Sequence, residues 1–571
     1  MAHDLVIRNG TVFDGTGGAG QRADVAVDGE RVTAVGDLDG EVGEKTIDAA
    51  GLAVTPGFVD VHTHFDAQLF WDPMATSSSW HGVTTVLMGN CGIGFAPATP
   101  DAAAKLAMMM ESVEDIPREA ILGSLPWTWT TFPEYLDAVE QVRPALNVAG
   151  MVGHCAMRYH VMGDRSLGEE PPTRAELDQL AAIAEESVAG GAIGFSTSRY
   201  LGHIIPDGRK VPGTFAQVEE YVAVADGMNR AGGGLMQAVN DFYTKAKHEV
   251  GLLQTMAQRA GDVVFSTELG LTQLAADAYV DGTSQSSVQD FDRFLRDTRI
   301  RSGRITAAAM GRPSGLLIGL HQVSPVKGPK WEQLLQLATL QARVEALKDS
   351  ATRAELIEEG QRLGLRNPAH LIYPLGNAEL PDWGLSGGRS VADLAAEAGV
   401  HPIEVIVDAL VESDGRVMFN DWFFNQDPAR LGDLLALENV CIGLSDTGAH
   451  AGMFCDADMS TFFLSHWVRD RKIMPLEKAI GKLTSKPASV LGLIDRGTLR
   501  PGAYADINVF DPATVTGLYP EYVQDFPNGT GRLRTRAVGY AATVVNGEVV
   551  TEQGSHTGAR PGKVLRKFSR G

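Results

Sequence analysis

Two hydrophobic rhythms divide the chain. At its start, Leu5-Val6-Ile7, Ala23 to Val27, Arg31 to Val35 and Lys45 to Asp48 are short β-rich runs, with Asn9-Gly10 and Asp14-Gly15 between them as hairpin signals. So few strands cannot bury a core alone. Asp506 to Asp511 and Ala542 to Val550 have the same character, and the second carries its own Asn546-Gly547 turn. Both chain ends are therefore expected to build one composite β domain.

Between them the pattern alternates. Val83 to Met88, Asn147 to His154, Ala192 to Thr197, Gly234 to Val239, Asp262 to Thr267, Arg304 to Ala309 and Asn439 to Asp446 read as buried strands. Thr99 to Val113, Pro171 to Gly190, Thr214 to Ala231 and Glu249 to Ala260 carry helical spacing, and Thr173 with Glu176 has the spacing of a capping box. Strand then helix, repeated, predicts an α/β fold with a parallel sheet closed into a (β/α)8 TIM-like barrel, its site on the loops after the strands. An open doubly wound sheet is the alternative, weakened because no Gly-x-Gly-x-x-Gly follows a first strand. Residues 311–435 break the rhythm and are expected to be an inserted helical and loop segment over one side of the barrel. The predicted organisation is 1–54 and 486–571 as the two parts of the composite β-sandwich, with the barrel over 55–485.

Length agrees with this picture, since 571 residues exceed one ordinary domain but suit a large barrel with satellites. A formal charge of −22 opposes nucleic acid and anionic membranes as partners, because both are bound through Lys and Arg. No run approaches the roughly 20 apolar residues that span a bilayer, and the N-terminus has no basic then apolar leader. Four scattered cysteines, at 91, 155, 441 and 455, do not form a disulfide framework. The expectation is a cytoplasmic protein acting on a small molecule, with a homo-oligomer left open.

The candidate chemistry is concentrated in Val54 to Cys91. After the Thr55-Pro56-Gly57 turn, Gly57 to Val61 reads as a buried strand running into His62-Thr63-His64. Side chains two apart share a face, so both imidazoles would project together from the strand's C-terminal end. The next strand ends in Gly89-Asn90-Cys91 and would bring a thiolate to the same rim. His/His/Cys is a zinc-type set, although an isolated H-x-H is as often chance and a free Cys is more often a small buried hydrophobe. Asp446, at the end of the late strand, could meet them as ligand, proton shuttle or both; as a helix N-cap it would need no metal.

Together Leu5-Val6-Ile7-Arg8-Asn9-Gly10, Thr55 through His64, Gly82-Val83-Thr84-Thr85-Val86, Gly89-Asn90-Cys91-Gly92, Val152-Gly153-His154, Gly194-Phe195-Ser196-Thr197, Ser445-Asp446 and Arg496 to Asp506 resemble the amidohydrolase superfamily. Within it the chain is most similar to the D-aminoacylase (N-acyl-D-amino-acid deacylase) branch, of which the Asn-Cys-Gly motif is the specific part. The resemblance implies the barrel with its composite β domain, zinc, and hydrolysis of an amide. It also implies two more histidines, after the strands ending near 239 and 267. The chain instead reads Met236-Gln237-Ala238-Val239-Asn240-Asp241 and Phe265-Ser266-Thr267-Glu268-Leu269, and no Lys stands at those strand ends.

Three readings follow. One zinc ion is held by His62, His64 and Asp446, with or without Cys91; or His203, Glu268 or Asp241 substitutes for the missing groups; or catalysis has been lost. The first is preferred, because three protein ligands and a water complete a catalytic zinc site. In it the ion lowers the pKa of a water toward about 7, Asp446 moves its proton to the leaving nitrogen, and His154 orients the oxyanion, unless it is a structural histidine. Arg199, Tyr200 and His203 are the substrate-contact candidates, Arg199 for a carboxylate; His450 joins them if a helix begins after Asp446. His81 is assigned to structure. The expected activity is hydrolysis of a linear amide C–N bond, most simply of an N-acyl-D-amino acid or related N-acyl compound. A cyclic amide or imide hydrolase and a non-catalytic binding protein are the rivals.

Overall fold

The computed structural model describes residues 2–280, 287–321, 323–385 and 387–570. Eight parallel strands form the central sheet: β1 (Phe58–Asp60), β2 (Val83–Met88), β3 (Asn147–Gly153), β4 (Gly194–Ser198), β5 (Leu235–Val239), β6 (Asp262–Thr267), β7 (Arg304–Ala309) and β8 (Val440–Ile442). Each pairs with the next in chain order. Every residue of β2 and β3 is buried, as expected of a sheet covered by helices outside and filled by side chains within. Among the outer helices, Arg174–Ala189 is opened by a complete capping box between Thr173 and Glu176.

No ladder joins β8 to β1, so the barrel is nearly closed. At its C-terminal rim two backbone bonds take the ladder's place. The Asp446 N–H donates to the His62 carbonyl at 3.2 Å, and the His64 N–H to the Thr447 carbonyl at 2.8 Å.

Strand Ala53–Pro56 ties the chain ends together. It runs parallel to Ala2–Val12 and antiparallel to Ile507–Phe510, inside one nine-stranded sheet that continues through Tyr540–Val545 and Glu548–Glu552. Ile7, Val25, Val54, Ile507 and Val544 form its core. Gly57 alone separates this strand from β1, and a side chain there would collide with Thr84. The β sheet thereby fixes where the barrel begins.

Residues 311–435 hold helices and also a three-stranded antiparallel sheet of Gly315–Ile318, Ile372–Pro374 and Phe419–Trp422. This sheet was absent from the sequence expectation because strands of three or four residues are too short to display a period. Trp331, Val344, Ile403, Val407 and Phe419 give the segment its own core. Among the described residues, no helix is long and apolar enough to cross a membrane.

Candidate metal centre

His62 and His64 leave β1 with their rings turned into the barrel mouth, while Thr63 between them points the other way and donates its hydroxyl to the Leu87 carbonyl at 2.9 Å. Both histidines are buried. After β2 the chain makes a left-handed turn, with φ of 81° at Gly89, 57° at Cys91 and 73° at Gly92. At Gly89 that φ and the nearby Met151 carbonyl leave no room for a side chain. The Asp66 carboxylate accepts the Gly89 N–H at 3.0 Å, and the Asn90 amide donates to the Thr63 and Leu87 carbonyls at 3.1 and 2.9 Å. These bonds aim Cys91 inward.

The result is convergence. Cys91 Sγ lies 3.3 Å from His62 Nε2 and 3.7 Å from His64 Nε2. Asp446 Oδ1 lies 3.1 and 3.5 Å from the same two nitrogens. Asp446 reaches them from an irregular loop with φ of 50°, and no helix begins there, so the N-cap explanation falls away. Donor atoms of His62, His64 and Cys91 all lie within 4.8 Å of one another, and among the described residues this is the one such cluster.

The charges of the group are strongly coupled. Burial opposes charge on His62, but Cys91 and Asp446 outweigh it and hold its pKa at about 10. His64 is likewise raised against its burial, by Glu114 and Cys91, and the two imidazoles push Asp446 well below the usual carboxylate range despite its burial. Two imidazoles, a thiol and a carboxylate around one point suit a borderline-soft divalent cation such as zinc, which would replace the two protons.

On the opposite rim, over β5 and β6, the groups that face Cys91 and His62 are neutral. Gln237 accepts the Cys91 N–H at 3.1 Å and donates to Ser266 Oγ at 3.3 Å, and Ser266 Oγ meets His62 Nδ1 at 3.1 Å. A chain of neutral hydrogen bonds thus stands where the sequence lacks histidines. Asp241 bonds the Thr244 hydroxyl. Glu268 caps the helix Leu269–Val280 through the Gly270 and Leu271 N–H groups at 2.8 and 2.7 Å. His203 bonds Ser198 Oγ at 2.8 Å. None of these three, the substitutes expected from the sequence, joins the cluster.

Glu114 was missed. It ends the helix Ala103–Glu114 and is buried, with Oε1 3.5 Å from His64 Nδ1 and Oε2 3.7 Å from His450 Nε2. His64 Nδ1 and Glu114 Oε1 have no closer partner. The signal was a carboxylate on the apolar stripe of Ala107 and Met110, where core packing offers no reason for one.

Two expected roles are corrected. His154 does not face the mouth: Nδ1 is 2.9 Å from Thr197 Oγ1 and Nε2 2.7 Å from Glu220, leaving no nitrogen for an oxyanion. Arg199 is buried against Glu249, with Nε 2.8 and 2.9 Å from its two oxygens, and is closed off from substrate. Tyr200, His203 and His450 do line a cavity of about 270 Å³ that opens above His62, Cys91 and Asp446. His450 gets there on the irregular loop, with φ of 47°, without the helix on which its placement was expected to depend. His81, buried, hydrogen-bonds Thr461 Oγ1 and the Thr535 carbonyl, and burial holds its pKa at about 3.

The model of the Amidohydrolase family matches residues 45–551. The chain belongs to that family. Similar to this amidohydrolase are a D-aminoacylase of Alcaligenes xylosoxydans xylosoxydans, 29% identical over 99% of this chain and 98% of the relative, and an uncharacterized protein of Mycobacterium tuberculosis, 30% identical over 98% and 93%. A solved D-aminoacylase, described as having a binuclear metal center with one-metal activation and second-metal attenuation, superposes with a TM-score of 0.65 at 26% identity, covering 99% of this chain and all of that one. The N-acyl-D-glutamate deacylase of Bordetella bronchiseptica, solved with zinc and a phosphonate inhibitor, shares the fold, with a TM-score of 0.65 at 24% identity over the same shares. Metal-dependent amide hydrolysis is accordingly the activity of this chain's family and branch.

Proposed function

We propose that this amidohydrolase cleaves the linear amide C–N bond of an N-acyl-D-amino acid or a related N-acyl compound, at one metal ion held by His62, His64, Cys91 and Asp446. The observation that carries the reading is the convergence of these four side chains, with Asp446 Oδ1 3.1 and 3.5 Å from the two imidazoles, beneath the cavity at the barrel mouth. Zinc bound there would supply Lewis acidity and make water a nucleophile near neutral pH.

The protein's own groups do the rest. Asp446 takes the proton of the attacking water and returns it to the leaving nitrogen. Ser266 on His62 Nδ1 and Glu114 beside His64 Nδ1 fix the ring orientations, so that both Nε2 atoms face the centre. A single ion is favoured because Gln237 and Ser266, which occupy the other side, are weak ligands already bonded to one another.

The test is reconstitution of the metal-free chain with zinc, followed by chromatographic assay of amine release from a panel of N-acyl compounds. Activity should rise with zinc and level off near one equivalent. Asp446→Asn should lower kcat by about 10²–10⁴-fold, the range for loss of a positioned acid–base group. Activity that needs a second equivalent, or an Asp446→Asn protein as active as the parent, would defeat the proposal.

A further inference from the structure

The cavity's chemistry is one-sided. Its wall is made largely of aromatic and aliphatic groups, among them Tyr200, Tyr243, Phe423, Phe424, Met310 and Phe454. Apart from its histidines, its charged groups are carboxylates: Asp446 at the floor, Glu114 behind His64, and Glu268 at the side, where it also accepts the Tyr243 hydroxyl at 3.2 Å. No Lys or Arg lines it among the described residues. Arg199, the cation that the sequence offers at this rim, is spent on Glu249, on the Ala216 carbonyl and on Tyr221.

The buried polar atoms left over at this wall are the acceptors Asn240 Oδ1 and Glu114 Oε1 and the ring nitrogen His450 Nδ1. Asn240 lines the cavity and is wholly buried, and its amide nitrogen donates to Glu249 Oε2 at 2.8 Å. Since Glu249 can only accept from it, that bond fixes which way the amide points. Oδ1 then has no partner among the described residues, and a buried carbonyl oxygen in that state calls for an N–H from a bound molecule. A divalent ion at the floor does not supply the missing positive field. The Cys91 thiolate and the Asp446 carboxylate would balance its charge, and Glu114 and Glu268 remain over.

We propose that the substrate is an N-acyl compound whose amine half is apolar, donates hydrogen bonds and bears no carboxylate. This narrows the hydrolase reading above and rests on it for turnover, though not for binding. A free N-acyl amino acid would bring its carboxylate into an apolar cavity beside Glu268 with no guanidinium or ammonium to receive it. A like charge held about 6 Å away at an effective dielectric near 20 disfavours the acid by roughly 100-fold.

A matched pair tests it: N-acetyl-2-phenylethylamine and N-acetyl-D-phenylalanine differ only by the carboxylate. With the zinc-loaded full-length chain, kcat/KM for the neutral amide should exceed that for the acid at least tenfold. Equal or faster cleavage of the acid overturns the proposal. If neither is cleaved, calorimetric titration of both into the same protein separates the two readings. Tighter binding of the neutral amide by tenfold or more supports this substrate class while counting against the hydrolase; equal binding, tighter binding of the acid, or no binding of either overturns it. In Glu268→Gln the preference should shrink by up to about 100-fold, and an unchanged preference overturns its electrostatic basis.

Discussion

The two sides of the barrel rim solve the same problem differently. Over β1, β2 and β8, the side chains of His62, His64, Cys91 and Asp446 crowd one point, and their mutual demands are met only by protons or a cation. Over β4, β5 and β6, the polar groups have largely found partners in the protein, with Asn240 Oδ1 the exception: Ser198 with His203, Gln237 with Ser266, Arg199 with Glu249. One side is arranged for a ligand and the other for itself. A buried polar group that lacks a protein partner therefore points to function more directly than burial or charge does.

Three measurements press on that contrast. Cys91→Ser replaces a soft sulfur ligand with a poor one on the side arranged for a ligand, and zinc affinity, followed by competition with a chromophoric chelator, should fall on the order of 10³-fold while the fold is kept. A loss under tenfold would return Cys91 to the role of a small core residue. On the satisfied side, Arg199→Met leaves Glu249 buried and unpaired, and denaturant unfolding should register a loss of about 3–5 kcal/mol. If Arg199 were a substrate contact instead, stability would hold and KM would rise. The smallest effect is expected at the border. Glu114→Gln removes the charge beside His64 and should weaken zinc binding by about 10–100-fold, the range for partners that orient a ligand, with little change in melting temperature.

The barrel itself was legible because β strands buried on both faces are continuous apolar runs, and such runs recur along the chain with helical spacing after several of them. His62 and His64 were legible for a local reason, since a two-residue spacing on a strand puts both on one face. The hairpin signals at the two chain ends showed that each needed partners, and strand Ala53–Pro56 supplies the link between them. His154 and Arg199 misled for a shared reason. Each stands beside a strand's C-terminal end, as a functional residue would, but Glu220 and Glu249, on helices that follow, claim them. Those carboxylates lie 66 and 50 residues further along the chain, beyond what spacing conveys.

By itself the sequence determined the parallel barrel, the pairing of His62 with His64, and the absence of histidines from the strand ends near 239 and 267. These depend on local period and on residue identity, which a linear text carries. The tertiary structure decided that Cys91 stands with the imidazoles, through the left-handed turn at Gly89. It set Asp446 against both rings, through rim hydrogen bonds that close the barrel across more than 380 residues of chain. It also brought Glu114 behind His64 and withdrew Arg199 from the cavity. Those outcomes depend on which charges desolvation forces together, and that is settled only when the whole chain has packed.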